Sequence, residues 1–195
     1  MTLRQQLLKF VYPFFIWYQK LKGRKNILCN KGLVPPSTPF YKLSVQLNNG
    51  QMLNFESLKG KKVLLVNTAS DCGYTNQYSE LQKLYQQSKQ DMEIIAFPAN
   101  DFKEQEKGND KKIMEFCQTN FYVRFFLAKK TVVKKNAGQH PVFQWLTDKE
   151  QNGWNDRQPA WNFSKYLVNE EGILTHYFDP AVSPVSEEVI KAVQQ

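Results

Sequence analysis

Residues 62–85 constrain the fold more than any other part of the chain. Residues 63–66, Val-Leu-Leu-Val, form a short apolar run typical of a buried strand. From Thr75 onward, apolar and aromatic residues recur three and four positions apart, which predicts an amphipathic helix. Cys72 falls in the turn between them, where the positive end of a helix favours a thiolate. The pattern therefore predicts a nucleophilic cysteine, although a buried, unreactive cysteine fits it as well.

The positive charge of the chain is concentrated near its N-terminus. The formal net charge is +8, and residues 1–35 contain seven Lys and Arg and no Asp or Glu. Residues 36–195 hold 19 basic and 18 acidic residues, so this part is nearly neutral. The charge therefore belongs to a tail, and we expect no groove for nucleic acid.

The three cysteines give no metal or disulfide framework. The cysteines are far apart in the sequence, at Cys29, Cys72 and Cys117, and no C-x-x-C motif occurs. The chain has only two histidines that could complete a metal site with them. A zinc cluster is therefore not expected, and we predict no metal and no cofactor. An odd, sparse set of cysteines also argues against a disulfide-rich secreted protein and leaves room for a redox pair.

The N-terminal arm combines aromatic and basic residues. Residues 10–18 are mostly apolar, but this run is well short of the roughly 20 residues that cross a bilayer. Aromatic residues beside Lys and Arg suit peripheral contact with an anionic membrane, here through residues 1–31. The alternative is a helix packed on the domain surface. We expect a cytoplasmic protein, membrane-associated if the arm reaches lipid.

The order of elements predicts an α/β, thioredoxin-like fold. Residues 40–47 and 51–55 predict an N-terminal hairpin, and residues 93–97 a second buried strand that completes a right-handed βαβ unit. Further predictions are helices from Asn109 to about Asn120, over residues 141–146 and from Ser183 to Val193, with a hairpin over residues 163–168 and 172–178. We predict a central mixed sheet flanked by helices in residues 36–195, preceded by a basic-aromatic arm and linker in residues 1–35.

Three motifs give a resemblance to a known family. They are Asn-Thr-Ala-Ser-Asp-Cys-Gly-Tyr-Thr-Asn at 67–76, Phe-Pro-Ala-Asn-Asp-Phe-Lys-Glu-Gln-Glu-Lys-Gly at 97–108, and Trp-Asn-Phe-Ser-Lys at 161–165. In this order they resemble the three signatures of the glutathione peroxidase family, and the likeness runs from about Phe40 to the C-terminus. The resemblance implies that residues 36–195 are a thioredoxin-like peroxidase domain.

The resemblance also implies a catalytic tetrad. Cys72 is then the peroxidatic thiol, surrounded by Gln105, Trp161 and Asn162. Reaction with a hydroperoxide needs a thiolate, and amide and indole N–H groups are neutral donors suited to a sulfur anion. Taken singly, residues of these three types more often pack in a core or make local hydrogen bonds.

Cys117 stands where cysteine-type members of the family carry a resolving cysteine. The resemblance implies an internal Cys72–Cys117 disulfide that is reduced by thioredoxin or glutathione. A disulfide needs Cα atoms within about 7 Å, so we predict that the helix around Cys117 unwinds on oxidation. The alternative is that Cys117 fills space in the core.

The implied activity is reduction of hydrogen peroxide and of organic or lipid hydroperoxides to water or alcohols. Two alternatives are a peroxide sensor that relays oxidation to a partner protein and an inactive binding module. The segment between Leu146 and Trp161 lacks the helical insertion of the tetrameric forms, which implies a monomer.

Overall fold

The centre of the protein is a mixed β-sheet. The computed structural model describes residues 27–195, together with residues 2, 3, 5–7, 10–12 and 14. The strands in these residues are β1 Ile27–Cys29, β2 Ser44–Gln46, β3 Met52–Asn54, β4 Lys62–Thr68, β5 Met92–Pro98, β6 Phe126–Leu127, β7 Lys165–Val168 and β8 Leu174–Phe178. Six of them form one sheet in the order β1-β8-β7-β4-β5-β6, and β2 pairs with β3.

Both parallel and antiparallel pairs occur in the six-stranded sheet. β4, β5 and β6 run parallel, whereas β7, β8 and β1 add to the other side of β4 in antiparallel fashion. The predicted α/β class and mixed sheet are therefore confirmed. β1 is not among the predicted strands: it lies within residues 1–35 and pairs with β8, placing Cys29 opposite His176.

Helices cover both faces of the sheet. They are α1 Gln77–Ser88, α2 Asp110–Phe121, α3 Pro141–Leu146, α4 Lys149–Asn152 and α5 Glu187–Gln194, with 3-10 turns at Phe40–Lys42 and Phe55–Leu58. Asn109 caps α2 as predicted, its side chain accepting a hydrogen bond from Lys112 N. α5 begins later than predicted, because Ser186 N donates to Ser183 O and closes a turn before the helix.

The fully buried strand β4 divides the core into two parts. Val63 and Leu65 face a cluster that includes the aromatic residues of α3, whereas Leu64 and Val66 face a cluster built with α1, α2 and α5. Successive side chains of a strand point to opposite faces, so one apolar run serves both clusters. Cys72 and Cys117 belong to the second cluster.

The segments before β4 pack on the sheet edge and on the helices. The hairpin β2–β3 is shorter than predicted over residues 40–47 and 51–55, because Phe40–Lys42 and Phe55–Leu58 form 3-10 turns. It extends the sheet beyond β6, with Asn48 N donating to Leu127 O at 2.9 Å. The proline-rich linker lies against α3 and α4, where Trp145 Nε1 donates to Thr38 O at 2.7 Å. Gly153 has φ +96°, and a Cβ there would lie 2.6 Å from the Pro35 carbonyl oxygen, so this close approach requires glycine.

Part of the N-terminal arm is described, and its residues 3, 5–7, 10–12 and 14 are helical. The other residues of the predicted arm, 1, 4, 8, 9, 13 and 15–26, lie outside the described residues. Within the part of the chain that the structure describes, every helix is too short or too polar to cross a bilayer.

Candidate active site

Cys72 lies just beyond the carboxyl end of β4, in a turn that leads into α1. The Thr75 side chain organises this turn: its Oγ1 accepts a hydrogen bond from Cys72 N at 3.0 Å and donates to Ala69 O at 2.9 Å. Ligands of open α/β sheets bind outside the carboxyl ends of the strands, and Cys72 occupies that position.

The Cys72 sulfur is withdrawn from water and surrounded by neutral donors. The residue is 1% exposed, and the Tyr74 backbone N–H donates to Cys72 Sγ at 3.4 Å. Burial raises the pKa of the thiol, while hydrogen bonds from Tyr74 N and from the Asn162 and Trp161 side chains lower it. Burial dominates, so the net pKa lies above its usual range. The expected pKa lowering by a helix N-terminus is therefore wrong for this structure, in which α1 begins only at Gln77.

The Asn162 side chain lies between Gln105 and the Cys72 thiol. The Asn162 side chain is fully buried, and its Nδ2 donates to Gln105 Oε1 at 3.0 Å. The Gln105 carbonyl oxygen accepts a hydrogen bond from Asp71 N at 3.0 Å, which ties this loop to the turn that carries Cys72. Gln105 thus orients the Asn162 amide, and the Asn162 amide and the Trp161 indole act on the sulfur.

Asn67, at the end of β4, holds the loop that carries Trp161 and Asn162. Asn67 Nδ2 donates to Trp161 O, and Asn67 Oδ1 accepts from Ser164 N, both at 3.1 Å. The Asn67 carbonyl oxygen also accepts from Phe163 N, whose residue has φ +69°, a rare conformation for a bulky side chain. The loop geometry is therefore fixed by contacts with the sheet.

Trp161 forms the more exposed wall of the site. Its ring packs against Phe102, with 5.3 Å between ring centroids, and Lys103 Nζ lies 5.8 Å above the ring. The four predicted side chains, Cys72, Gln105, Trp161 and Asn162, therefore lie together in the structure.

Cys117 is fully buried in α2, in the same apolar cluster as Cys72. Burial raises the pKa of its thiol to about 12, and the Tyr78 hydroxyl opposes this shift. The Tyr78 hydroxyl makes no hydrogen bond of normal geometry among the described residues, yet it lies close enough to act on the sulfur. Cys72 and Cys117 are both free thiols in this structure.

Glu106 is a buried acid that was absent from the predicted site. It is 1% exposed, and its Oε1 accepts a hydrogen bond from Ser70 Oγ at 2.8 Å. Its Oε2 makes no hydrogen bond within the described residues. Burial raises the pKa of this carboxyl to about 7. The available signal was its position directly after Gln105 in the second motif, but a sequence pattern does not show that a glutamate is buried.

Lys165 is a second buried charge near the site. Its Nζ donates to Gln77 Oε1 and to Phe163 O, both at 2.7 Å, and so joins the start of α1 to the third motif. Burial lowers the pKa of this amine to about 7.

Cys29 lies away from these groups. It lines a cavity of about 350 Å³ together with His176 and Lys62. Lys62 is the first residue of β4, whereas Cys72 lies beyond the last, so the cavity and the Cys72 site are at opposite ends of this strand. Within the described ranges, no three His, Cys, Asp or Glu side chains are grouped so as to hold a metal ion.

Comparisons with known proteins identify the family of the chain. The family model described as "Glutathione peroxidase" matches residues 40–147. The chain is 40% identical over 161 residues to the glutathione peroxidase-like peroxiredoxin HYR1 of Saccharomyces cerevisiae, covering 80% of this chain and 98% of the relative. It is 41% identical over 155 residues to a glutathione peroxidase of Lactococcus lactis, covering 78% of this chain and 97% of the relative.

A solved structure supports the same assignment. The crystal structure of Trgpx in apo form superposes with a TM-score of 0.61 at 30% identity, covering 82% of this chain and 97% of that protein. These matches confirm the predicted thioredoxin-like fold and the resemblance carried by the three motifs. The chain belongs to the glutathione peroxidase family of thiol peroxidases.

Proposed function

We propose that this protein reduces hydrogen peroxide and organic or lipid hydroperoxides at Cys72. The observation that carries the proposal is the convergence of three neutral donors on one buried thiol: the Tyr74 N–H and the side chains of Asn162 and Trp161. Such donors stabilise negative charge on sulfur without supplying a base that competes for the proton. We assign Gln105 the role of orienting Asn162 through their hydrogen bond.

In the first step the Cys72 thiolate attacks the terminal oxygen of the hydroperoxide. The O–O bond breaks, a sulfenic acid forms on Cys72, and the proton lost from the thiol reaches the departing alkoxide or hydroxide, giving an alcohol or water. Because burial raises the pKa of Cys72, we expect the rate of this step to increase as the pH rises. The indole and amide donors stabilise the sulfur anion as it forms.

In the second step Cys117 resolves the sulfenic acid. The Cys117 sulfur attacks the Cys72 sulfur, the S–O bond breaks, and the thiol proton leaves with the hydroxyl group as water. Cys117 must leave the interior of α2 for this, so local unwinding of the helix accompanies the reaction. A thioredoxin-type dithiol, or two molecules of glutathione, then reduces the disulfide.

Two further features complete the proposal. We assign a monomer, because the segment between Leu146 and Trp161 contains only the four-residue helix α4. It lacks the longer helical insertion of the tetrameric forms. We place the protein in the cytoplasm, where a reducing environment keeps thiols such as Cys72 and Cys117 available for catalysis.

Steady-state turnover tests the proposal. Wild-type protein should consume hydroperoxide continuously with thioredoxin, thioredoxin reductase and NADPH, and Cys72→Ser should abolish turnover. Cys117→Ser should lose at least about tenfold of the thioredoxin-dependent rate, because a resolving thiol accelerates disulfide formation. Turnover that persists in Cys72→Ser would contradict the proposal. If Cys72 is oxidised once but the protein does not turn over with either thioredoxin or glutathione, the result would instead favour the sensor.

A further inference from the structure

The described part of the N-terminal arm is a helix with two unlike faces. It begins with a reciprocal cap, in which Thr2 N donates to Gln5 Oε1 at 2.8 Å and Gln5 N donates to Thr2 Oγ1 at 3.3 Å. Successive residues of an α-helix are rotated by about 100° around its axis, so four large apolar residues fall within an arc of about 60° on one side. Gln5 and Tyr12 lie on the opposite side. The four are Leu3, Leu7, Phe10 and Phe14.

The inner face of this helix is attached beside the active site. Tyr12 is buried in the apolar cluster that also contains Cys72, and its hydroxyl donates to Glu80 Oε1 of α1 at 3.1 Å. Gln5 Nε2 donates to Ser70 O at 3.1 Å, two residues before the thiol. The helix is therefore positioned on the turn that carries Cys72.

The outer face is apolar and exposed. Leu3, Leu7, Phe10 and Phe14 are 85%, 59%, 75% and 66% exposed, respectively. A single exposed apolar side chain is ordinary, but several on one face of one helix indicate an interaction surface.

The charge of the segment identifies the partner. Residues 1–35 carry seven Lys and Arg and no acidic residue. A purely apolar groove on another protein would not call for this excess, whereas an anionic lipid surface is complementary to both the apolar face and the positive charge.

We infer that the apolar face of the N-terminal helix inserts into an anionic membrane surface and holds the Cys72 site next to it. The inner-face contacts place the turn containing Ser70 about one helix diameter, about 10 Å, from the lipid. If the protein has the proposed function, hydroperoxides of membrane lipids become its preferred substrates, because the site is held where they form. This consequence rests on the proposed function.

Sedimentation with vesicles tests the insertion without requiring activity. Full-length wild type should pellet with phosphatidylcholine vesicles that contain phosphatidylserine, and much less with phosphatidylcholine alone. Phe10→Ser with Phe14→Ser should lower the partition coefficient at least about tenfold, because two large apolar side chains no longer enter the lipid. The matched control, Val34→Ser with Met52→Ser, removes two exposed apolar side chains outside the N-terminal helix and should pellet like wild type.

Equal pelleting of the Phe10/Phe14 variant and wild type, or no pelleting of wild type, would overturn the inference. Equal pelleting of wild type with neutral and anionic vesicles would also overturn it.

Activity assays separate this role from the chemistry. The Phe10/Phe14 variant should lose about tenfold in rate against a phospholipid hydroperoxide in anionic vesicles and retain its rate with hydrogen peroxide. Equal losses on both substrates would contradict the docking role. Failure of the proposed function would be seen separately, as wild type that pellets but does not turn over hydrogen peroxide.

Discussion

Cys72 is subject to two opposing influences. Removal from water disfavours its thiolate, whereas hydrogen bonds from Tyr74 N, Asn162 and Trp161 favour it. Burial dominates in this structure, so in the proposed mechanism the donors matter most when charge develops during the attack on peroxide. A donor that acts at that stage affects the rate more than it affects the stability of the protein.

Asn162→Ala tests this role at the level of one residue. The variant loses the amide that donates to the thiol, so we expect the rate constant of Cys72 oxidation to fall by about 100-fold at neutral pH. The loss should become smaller at higher pH, where more thiolate forms without help. Stopped-flow tryptophan fluorescence measures this rate, and the exposed-turn variant Asn136→Ala is the control. A rate within about twofold of wild type would contradict the role.

Glu106 gives a prediction for stability against pH. Its pKa is about 7 in the folded protein, against an ordinary value of 4.5, so the folded state binds the proton more tightly. The free energy of unfolding therefore falls as the pH rises through this interval.

Glu106→Gln removes this loss because glutamine stays neutral. We expect its free energy of unfolding to exceed that of wild type by about 1–3 kcal/mol at about pH 8, and to differ little at about pH 5. Urea denaturation measures both values, and the exposed Glu104→Gln serves as the control. A difference independent of pH would show that ionisation of Glu106 does not govern the effect.

Sequence motifs predicted which residues form the candidate site but not all the contacts between them. The order of the motifs was sufficient to select Cys72, Gln105, Trp161 and Asn162. The hydrogen bond from Asn162 to Gln105 joins residues far apart in the chain, and the net pKa of Cys72 depends on burial that a turn pattern does not show. Contacts of this kind arise only when the fold is complete.

At the scale of elements, α2 must change for the proposed cycle to proceed. Cys117 lies inside this helix, which is capped by Asn109 at its start and ends at Tyr122 with φ +54°. A Cys72–Cys117 disulfide requires Cα atoms within about 7 Å, and we propose that the C-terminal half of α2 gives up part of its backbone hydrogen bonding to allow this.

Hydrogen exchange should detect this unwinding. In oxidised wild type, amides around Cys117 should exchange at least about tenfold faster than in the reduced protein, while those in the middle of α1 keep their protection. Peroxide-treated Cys117→Ser lacks the disulfide and should retain protection in α2. Unchanged protection of α2 in oxidised wild type that carries the disulfide would contradict this account.

Elements with a sequence pattern or turn signal of their own were predictable, whereas β1 and β6 were not. The apolar run of β4 and the spacing of α1 identified both elements, because each carries its own pattern. β1 has three residues and pairs with β8, and β6 has two residues and pairs with β5. Their formation depends on the partner strand more than on local propensity.

At the scale of the whole molecule, one sheet positions the candidate site. Its buried centre, β4, fixes the position of Cys72, and the contacts of Asn67 fix the loop that brings Asn162 to it. In the proposals above, the nearly neutral residues 36–195 carry the chemistry, and the basic arm carries the charge that would meet an anionic surface. The proposed chemistry depends on Cys72 being the thiol that meets the peroxide.

The intact mass of the reduced protein after one equivalent of hydroperoxide tests that claim most directly. Wild type should lose two hydrogen atoms as the disulfide forms, Cys117→Ser should gain one oxygen atom on Cys72, and Cys72→Ser should remain unchanged. Oxidation of Cys72→Ser to the same extent as wild type, or an unchanged mass in all three proteins, would contradict the account.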